Sequence, residues 1–320
     1  MRKTLTLTAV TVITGLALAS CTLGDTPGGV EKGSLAGQQD LSGTKLTVGS
    51  KEFTEQLVLC EIAALALESV NAEVERSCGM SGSATVRQAL LSGDIDLYWE
   101  YTGTGWITHL KQTEPITDPR RQYEEIAKAD REQNGVHWLE PAPANNTYAI
   151  ATTEEKAAEL GVNSISDYAE LATSDPAKAS FCGASEFFGR EDGWPGVQKA
   201  YNFTIPSNRT AELAAGAIYN SIDQGKPCNF GEVFVTDGRI AALKLKVLED
   251  DKKFFAVYNP ALTVGKHVAA KQPALAAVMA PVTRALDNQT LRVLNAKVDV
   301  EGETPERVAE EWMREKGFIK

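Results

Sequence analysis

The sequence predicts an α/β protein folded as two lobes. Short β-type runs alternate with amphipathic helical stretches from residue 46 onward. The alternation stops and begins again at Tyr148, and 320 residues suffice for about two domains, each with its own core. The composition is 43% apolar and 23% charged, with 26 Gly and 13 Pro, which suits a globular chain and is too apolar for a disordered one.

Ahead of the body lies an export signal. Met1-Arg2-Lys3 is a short basic start, and residues 5–19 form an apolar run rich in Leu, Val and Ala. The run is too short for a comfortable permanent span and ends in small residues, as a secretory leader does. Its end, Leu18-Ala19-Ser20-Cys21, resembles a bacterial lipobox. That resemblance implies a lipoprotein signal peptide over 1–20, with Cys21 diacylated as the mature N-terminus; a plain signal peptide with an incidental Cys is the alternative. Residues 22–43 carry six glycines and no apolar periodicity. Together with Cys21 they read as a flexible tether over 21–43, with a root-mean-square span of roughly 25 Å.

In the body, Leu46-Thr47-Val48-Gly49 is a strand that stops at Gly49-Ser50-Lys51. A helix over 53–69 follows, apolar at Leu57, Ile62, Leu65 and Leu67. Val74 marks a second strand, 86–91 a second helix and 95–99 a third strand. Strand and helix in turn imply a parallel sheet with right-handed crossovers. Gly79-Met80-Ser81-Gly82-Ser83 reads as the loop opening the second helix, its backbone N–H groups free for a ligand or water. The second series runs strand 148–151, helix 165–171, strand 179–182, helix 194–201 and strand 232–235. After Val264 the chain is mostly helical, over 274–286, 289–297 and 305–316. Thr304-Pro305-Glu306 opens the last of these with an N-cap, a first-position Pro and a first-turn acid.

Charge and motifs exclude several classes of function. The net charge is −11, and removal of Arg2 and Lys3 with the leader makes it more negative, so nucleic acid is not a partner. There is no P-loop, no G-x-G-x-x-G after a strand, no G-x-S-x-G and no H-E-x-x-H. His109, His137 and His267 lie far apart, and no CxxC pair accompanies them, so neither a metal nor a cofactor is expected. Glu249-Asp250-Asp251 beside Lys252-Lys253 reads as a solvated polar turn, and Asp96 with Glu100 is weak evidence for anything. No catalytic residues are nominated, and the chain is not expected to be an enzyme.

Aromatic residues at strand ends are what remain. Tyr98, Trp99 and Tyr101 close the third strand, where open α/β sheets bind ligands. Tyr148 begins the second series, Phe234 ends one of its strands, and Tyr258 precedes the return to the first. Converging rings suit a quaternary ammonium group, which has no N–H to satisfy and is held by ring quadrupoles. Lys51 and Arg190 could hold a carboxylate, with Thr104 adding a hydroxyl. Taken one at a time, each of these residues also reads as ordinary packing.

Family resemblance joins them. The stretches Gly49-Ser50-Lys51-Glu52-Phe53-Thr54-Glu55-Gln56, Gly93-Asp94-Ile95-Asp96-Leu97-Tyr98-Trp99-Glu100-Tyr101-Thr102-Gly103-Thr104 and Asn145-Asn146-Thr147-Tyr148-Ala149 resemble the substrate-binding proteins of osmoprotectant ABC importers. So do Gly189-Arg190-Glu191-Asp192-Gly193, Thr236-Asp237-Gly238-Arg239-Ile240 and Val247-Leu248-Glu249-Asp250-Asp251. This is the glycine betaine, carnitine and choline group, and the likeness runs from about 45 to 318. It implies a two-lobed type II periplasmic-binding-protein fold with two interlobe crossovers, lobe I being 44–146 plus 258–320 and lobe II 147–257.

Carried over by position, the aromatic cage falls on Tyr101, Tyr148, Phe234 and Tyr258, and the carboxylate and polar contacts on Lys51, Thr104, Arg190 and Asn146. Phe234 stands where Tyr is frequent and Trp99 where Pro is common; the indole either reshapes the pocket or packs beneath it. Four body cysteines allow three pairings. Cys60–Cys78 and Cys182–Cys228 are favoured because each pair lies within one lobe, and four buried thiols are the alternative. The resemblance implies a lipid-anchored, extracytoplasmic monomer on the outer face of the plasma membrane, handing a quaternary amine to an ABC permease. An exported sensor or enzyme on the same fold is the competing reading. Choline, lacking a carboxylate, is disfavoured because Lys51 and Arg190 would be left unpaired.

Overall fold

The computed structural model describes residues 32–37, 39–112, 116 and 118–320. The leader, Cys21 and the first part of the tether lie outside the described residues. In chain order the strands are β1 (Lys45–Lys51), β2 (Glu73–Met80), β3 (Leu97–Tyr101), β4 (His137–Trp138), β5 (Tyr148–Thr153), β6 (Phe181–Gly183), β7 (Thr210–Glu212), β8 (Phe230–Phe234), β9 (Leu245–Val247) and β10 (Pro260–Val264). They form two sheets, ordered β2-β1-β3-β10-β4 and β7-β6-β8-β5-β9. The chain leaves the first sheet after β4 and re-enters it at β10, so two segments pass between the sheets.

The sheets are mixed, which corrects the expectation of parallel ones. β1 runs parallel to β2 and β3, but β10 is antiparallel to β3 and β4. Likewise β6 is parallel to β7 and β8, while β5 is antiparallel to β8 and β9. The reversed strands β5 and β10 are those that follow the passages between sheets. Each arrives from the other lobe without the helical crossover that keeps neighbouring strands parallel.

Helix α1 (Thr54–Glu68) is buried on nearly all sides, with Leu59, Ile62 and Leu67 at the centre of the first core. The C-terminal helices Leu275–Arg284, Asn288–Asp299 and Pro305–Glu315 supply the rest of that core. Thr304 caps the last of them, its side chain accepting from the Arg307 amide. The second lobe has an aromatic core in which Tyr168, Phe181, Trp194 and Phe230 pack together.

The tether is shorter than expected. Leu35 and Leu41 are buried in the first core, Ser34 N–H donates to the Gly317 carbonyl, and Lys32 bridges Ile319. Residues 32–37 are thereby fastened to the C-terminal end, while the Leu41 amide donates to the Val70 carbonyl just after α1. Both disulfides form within single lobes: Cys60–Cys78 joins α1 to β2, and Cys182–Cys228 joins β6 to the approach to β8. The acidic turn also has more structure than a solvated cluster. Asp250 accepts the Tyr201 hydroxyl and the amides of Phe254 and Phe255, and Asp251 binds Ser166.

Candidate ligand-binding site

A cavity of about 890 Å³ lies between the lobes. Lys51, Tyr101, Thr104, Asn146, Tyr148, Arg190, Phe234 and Tyr258 all line it, so the structure gathers every ligand-contacting candidate into one place. Strand ends put them there. Lys51 closes β1, Tyr101 closes β3 and Thr104 follows at once. Tyr148 opens β5 and pairs with Phe234 at the end of β8, while Asn146 and Tyr258 lie on the two interlobe passages.

The aromatic residues form a continuous wall. Tyr148 meets Phe234 at a centroid distance of 5.3 Å and Tyr258 edge-on at 5.5 Å. Phe53 was not anticipated: its ring stacks on Phe234 at 5.2 Å and on Tyr101 at 6.1 Å, joining the rings of the two lobes. Its place just before α1 made it read as a helix entrance, although it stands inside the first recognised motif. Gly103 makes room for the wall, since a Cβ there would sit 2.6 Å from the Tyr258 ring. Trp99 does not line the cavity; it is buried in the first hydrophobic core.

Hydrogen bonds fix the rings. The Tyr258 hydroxyl donates to Asp192 at 2.5 Å, and the Tyr101 hydroxyl to Glu55 Oε1 at 2.8 Å. Glu55 is buried and collects donors from distant parts of the chain: Asn146 at 2.9 Å, Thr236 at 2.6 Å and Asn295 at 3.1 Å. Burial pushes its carboxyl up, and these neutral donors oppose the shift. Because Thr236 follows β8 of the second sheet, Glu55 ties the aromatic wall to the contact between the two halves.

Both candidate cations carry carboxylate partners. Lys51 Nζ sits 2.6 Å from Glu100 Oε1 and 5.1 Å from the Tyr101 ring centroid. Glu100 also receives the Tyr98 hydroxyl, the Tyr101 amide and His109. Burial alone would raise the Glu100 carboxyl, but Lys51 and His109 outweigh it and hold it well below the usual carboxylate range. Arg190 forks onto Asp192, bonds Glu186 at 2.7 Å and approaches Thr104 Oγ1 at 3.5 Å, with its guanidinium 5.6 Å from the Tyr148 centroid. The charge argument against choline therefore fails, because neither cation is bare without a ligand carboxylate. The N–H groups expected to be free at the second helix are also taken. Gly82 N–H binds Glu52, and Ser83, which opens helix α2 (Ser83–Ser92), binds Glu186 through its amide and hydroxyl.

The profile of one family, the substrate-binding domain of ABC-type glycine betaine transport systems, matches residues 44–315. A glycine-betaine-binding protein of Pseudomonas aeruginosa is 37% identical over 275 residues, covering 84% of this chain and 87% of that one. The glycine betaine-binding protein YehZ of Escherichia coli is 33% identical over 278 residues, covering 85% and 91%. Its ligand-free structure superposes with a TM-score of 0.63 at 32% identity, covering 86% of this chain and 100% of that one. The ergothioneine transport permease/ergothioneine binding protein EgtU of Helicobacter pylori is 33% identical over 274 residues, 85% of this chain and 48% of that protein. The chain belongs to the family of substrate-binding domains of ABC-type glycine betaine transport systems, and so is an extracytoplasmic solute receptor working with a permease, not an enzyme.

Proposed function

We propose that the protein captures a zwitterionic quaternary amine of the glycine betaine type between its lobes and presents it to its permease. The observation that carries this reading is the unbroken run of rings Tyr101, Phe53, Phe234, Tyr148 and Tyr258 along the cavity wall. Each well-placed ring contributes about 0.5–2 kcal/mol to holding a cation without N–H groups. Glycine betaine and ergothioneine, named for the relatives, share a trimethylammonium head and a carboxylate. The carboxylate is assigned to Thr104 and to N–H groups of Lys51 and Arg190 that their acid partners do not use.

Lobe I is taken as 44–146 plus 258–320 and lobe II as 147–257, with the cage completed when they meet. A ligand touching both lobes favours the closed form by its differential contacts. We further assign Cys21 as the lipid anchor and the mature chain as a monomer.

Calorimetric titration of residues 22–320, stripped by unfolding and refolded, with glycine betaine, carnitine and choline tests the reading. Tight binding of a zwitterion with weaker choline is expected. Tight choline with weak zwitterions would remove the carboxylate assignment, and silence from all three would remove the cage.

A further inference from the structure

The cavity is large for its proposed head group. About 890 Å³ lies near the upper end of the roughly 300–1,000 Å³ of small-molecule pockets. Past the rings its wall continues along the second lobe through Ala184, Ser185, Leu213 and Glu232. Glu232 stands two residues before Phe234 on β8, so both side chains leave the same face of the sheet. It is only 3% exposed. Its Oε2 accepts the Ala184 amide at 2.7 Å, while Oε1 has no hydrogen-bond partner among the described residues. Among the described residues no cation pairs with it directly: Arg190 acts on it from a distance but is committed to Asp192 and Glu186, and Glu186 repels it. A buried carboxyl group with one oxygen unused on a cavity wall is costly unless something in the cavity completes it.

We propose that Glu232 is a specificity residue whose Oε1 accepts a hydrogen bond from an N–H carried on an arm of the ligand, beyond its trimethylammonium head. This rests on the quaternary-amine reading and narrows it to ligands longer than glycine betaine. It also makes binding proton-linked. Burial pushes Glu232 up to about 8, so near neutrality an N–H donor must displace the carboxyl proton to use the ionised oxygen. The groups facing it are Glu186 and Arg190 beyond β6 and Tyr148 on β5; β6 itself offers no titratable side chain, Cys182 being disulfide-bonded.

The test uses glycine betaine, N,N,N-trimethylhistidine and N,N,N-trimethylphenylalanine as titrants of the refolded mature protein at pH 7.5. The last two share head, carboxylate and a ring-bearing arm, and only the histidine derivative has a polar ring with an N–H donor. The histidine derivative should bind about tenfold or more tightly than the phenylalanine one, the range of a hydrogen bond to a charged group. In Glu232→Met that ratio should fall to near one, and because it is a ratio within one variant, a general loss of stability does not mimic it. Heats measured in buffers of different ionisation enthalpy should show proton release for trimethylhistidine with the wild type and none with Glu232→Gln. Equal binding of the two ring compounds by the wild type, or binding of glycine betaine with rejection of both, overturns the subsite and leaves the head-group reading intact. Silence from all three overturns both.

Discussion

Replacing Phe53 with Leu separates the π-face of the cage from its bulk. Leu keeps an apolar side chain at the junction between Tyr101 and Phe234, whose rings lie 6.1 and 5.2 Å from that of Phe53. It removes one quadrupole, worth about 0.5–2 kcal/mol, so glycine betaine should bind roughly twofold to thirtyfold more weakly. The control is 3,3-dimethylbutanoate, in which carbon replaces the charged nitrogen without changing the outline. Its affinity for the wild type should be low and should barely change in Phe53→Leu. Calorimetry with both ligands, alongside thermal melting to register the lost ring stacking, reads the two contributions separately. If the substitution weakens both ligands by the same factor, or leaves glycine betaine untouched, Phe53 shapes the cleft and does not hold the cation.

Three further outcomes follow from the same geometry. Lys51→Met leaves Glu100 buried beside His109 without its main counterion, so denaturant unfolding should show a loss of about 3–5 kcal/mol, mostly recovered by adding Glu100→Gln; no loss would mean the pair is not formed. Gly103→Ala should push the Tyr258 ring aside and weaken glycine betaine by about tenfold on titration, with full affinity counting against the tight contact. Glu232, raised from 4.5 to about 8, keeps in the native state a proton that the unfolded chain has already lost. Ligand-free stability should therefore fall as pH rises from about 4.5 to 8, by about 1.4 kcal/mol per unit at most, and level off above. The stability advantage of Glu232→Gln should grow over that window, and a pH-independent difference would refute it.

What the sequence made legible was whatever recurs locally. The strand starting at Leu46, the long buried helix after Phe53 and the Thr304 cap are written in neighbouring residues. The cage was legible only through the order of recognised stretches, since nothing near Tyr148 says that Phe234 will pair with it. Residues whose meaning depends on remote partners stayed hidden. Glu55 sits among helix residues and no neighbour marks it out; its donors Asn146, Thr236 and Asn295 lie 91, 181 and 240 residues away. Glu232 reads as a strand acid in the same way, and Phe53 as a helix entrance. Strand direction in β5 and β10 was equally hidden, because it is set by passage between lobes and not by composition.

The placement of charge satisfies most of the ions around the cleft within their own half of the molecule. Arg190 is satisfied by Asp192 and Glu186 in its own lobe, and its reach to Thr104 across the cleft is an addition. Arg239 is held by Asp237 and only then extends to Asp299 at 3.3 Å. Glu186 has Arg190 before it receives Ser83, and Glu55 has Tyr101, Asn146 and Asn295 before it receives Thr236. Separating the lobes would therefore break mainly hydrogen bonds that net about 0.5–1.5 kcal/mol each, while Asp299 would lose Arg239 and keep only the Thr54 hydroxyl. A trimethylammonium group touching rings on both sides would add a few kcal/mol to the closed arrangement, a differential contact that favours it. Pairing Lys51 and Arg190 in place thus leaves the preference between arrangements mainly to the rings.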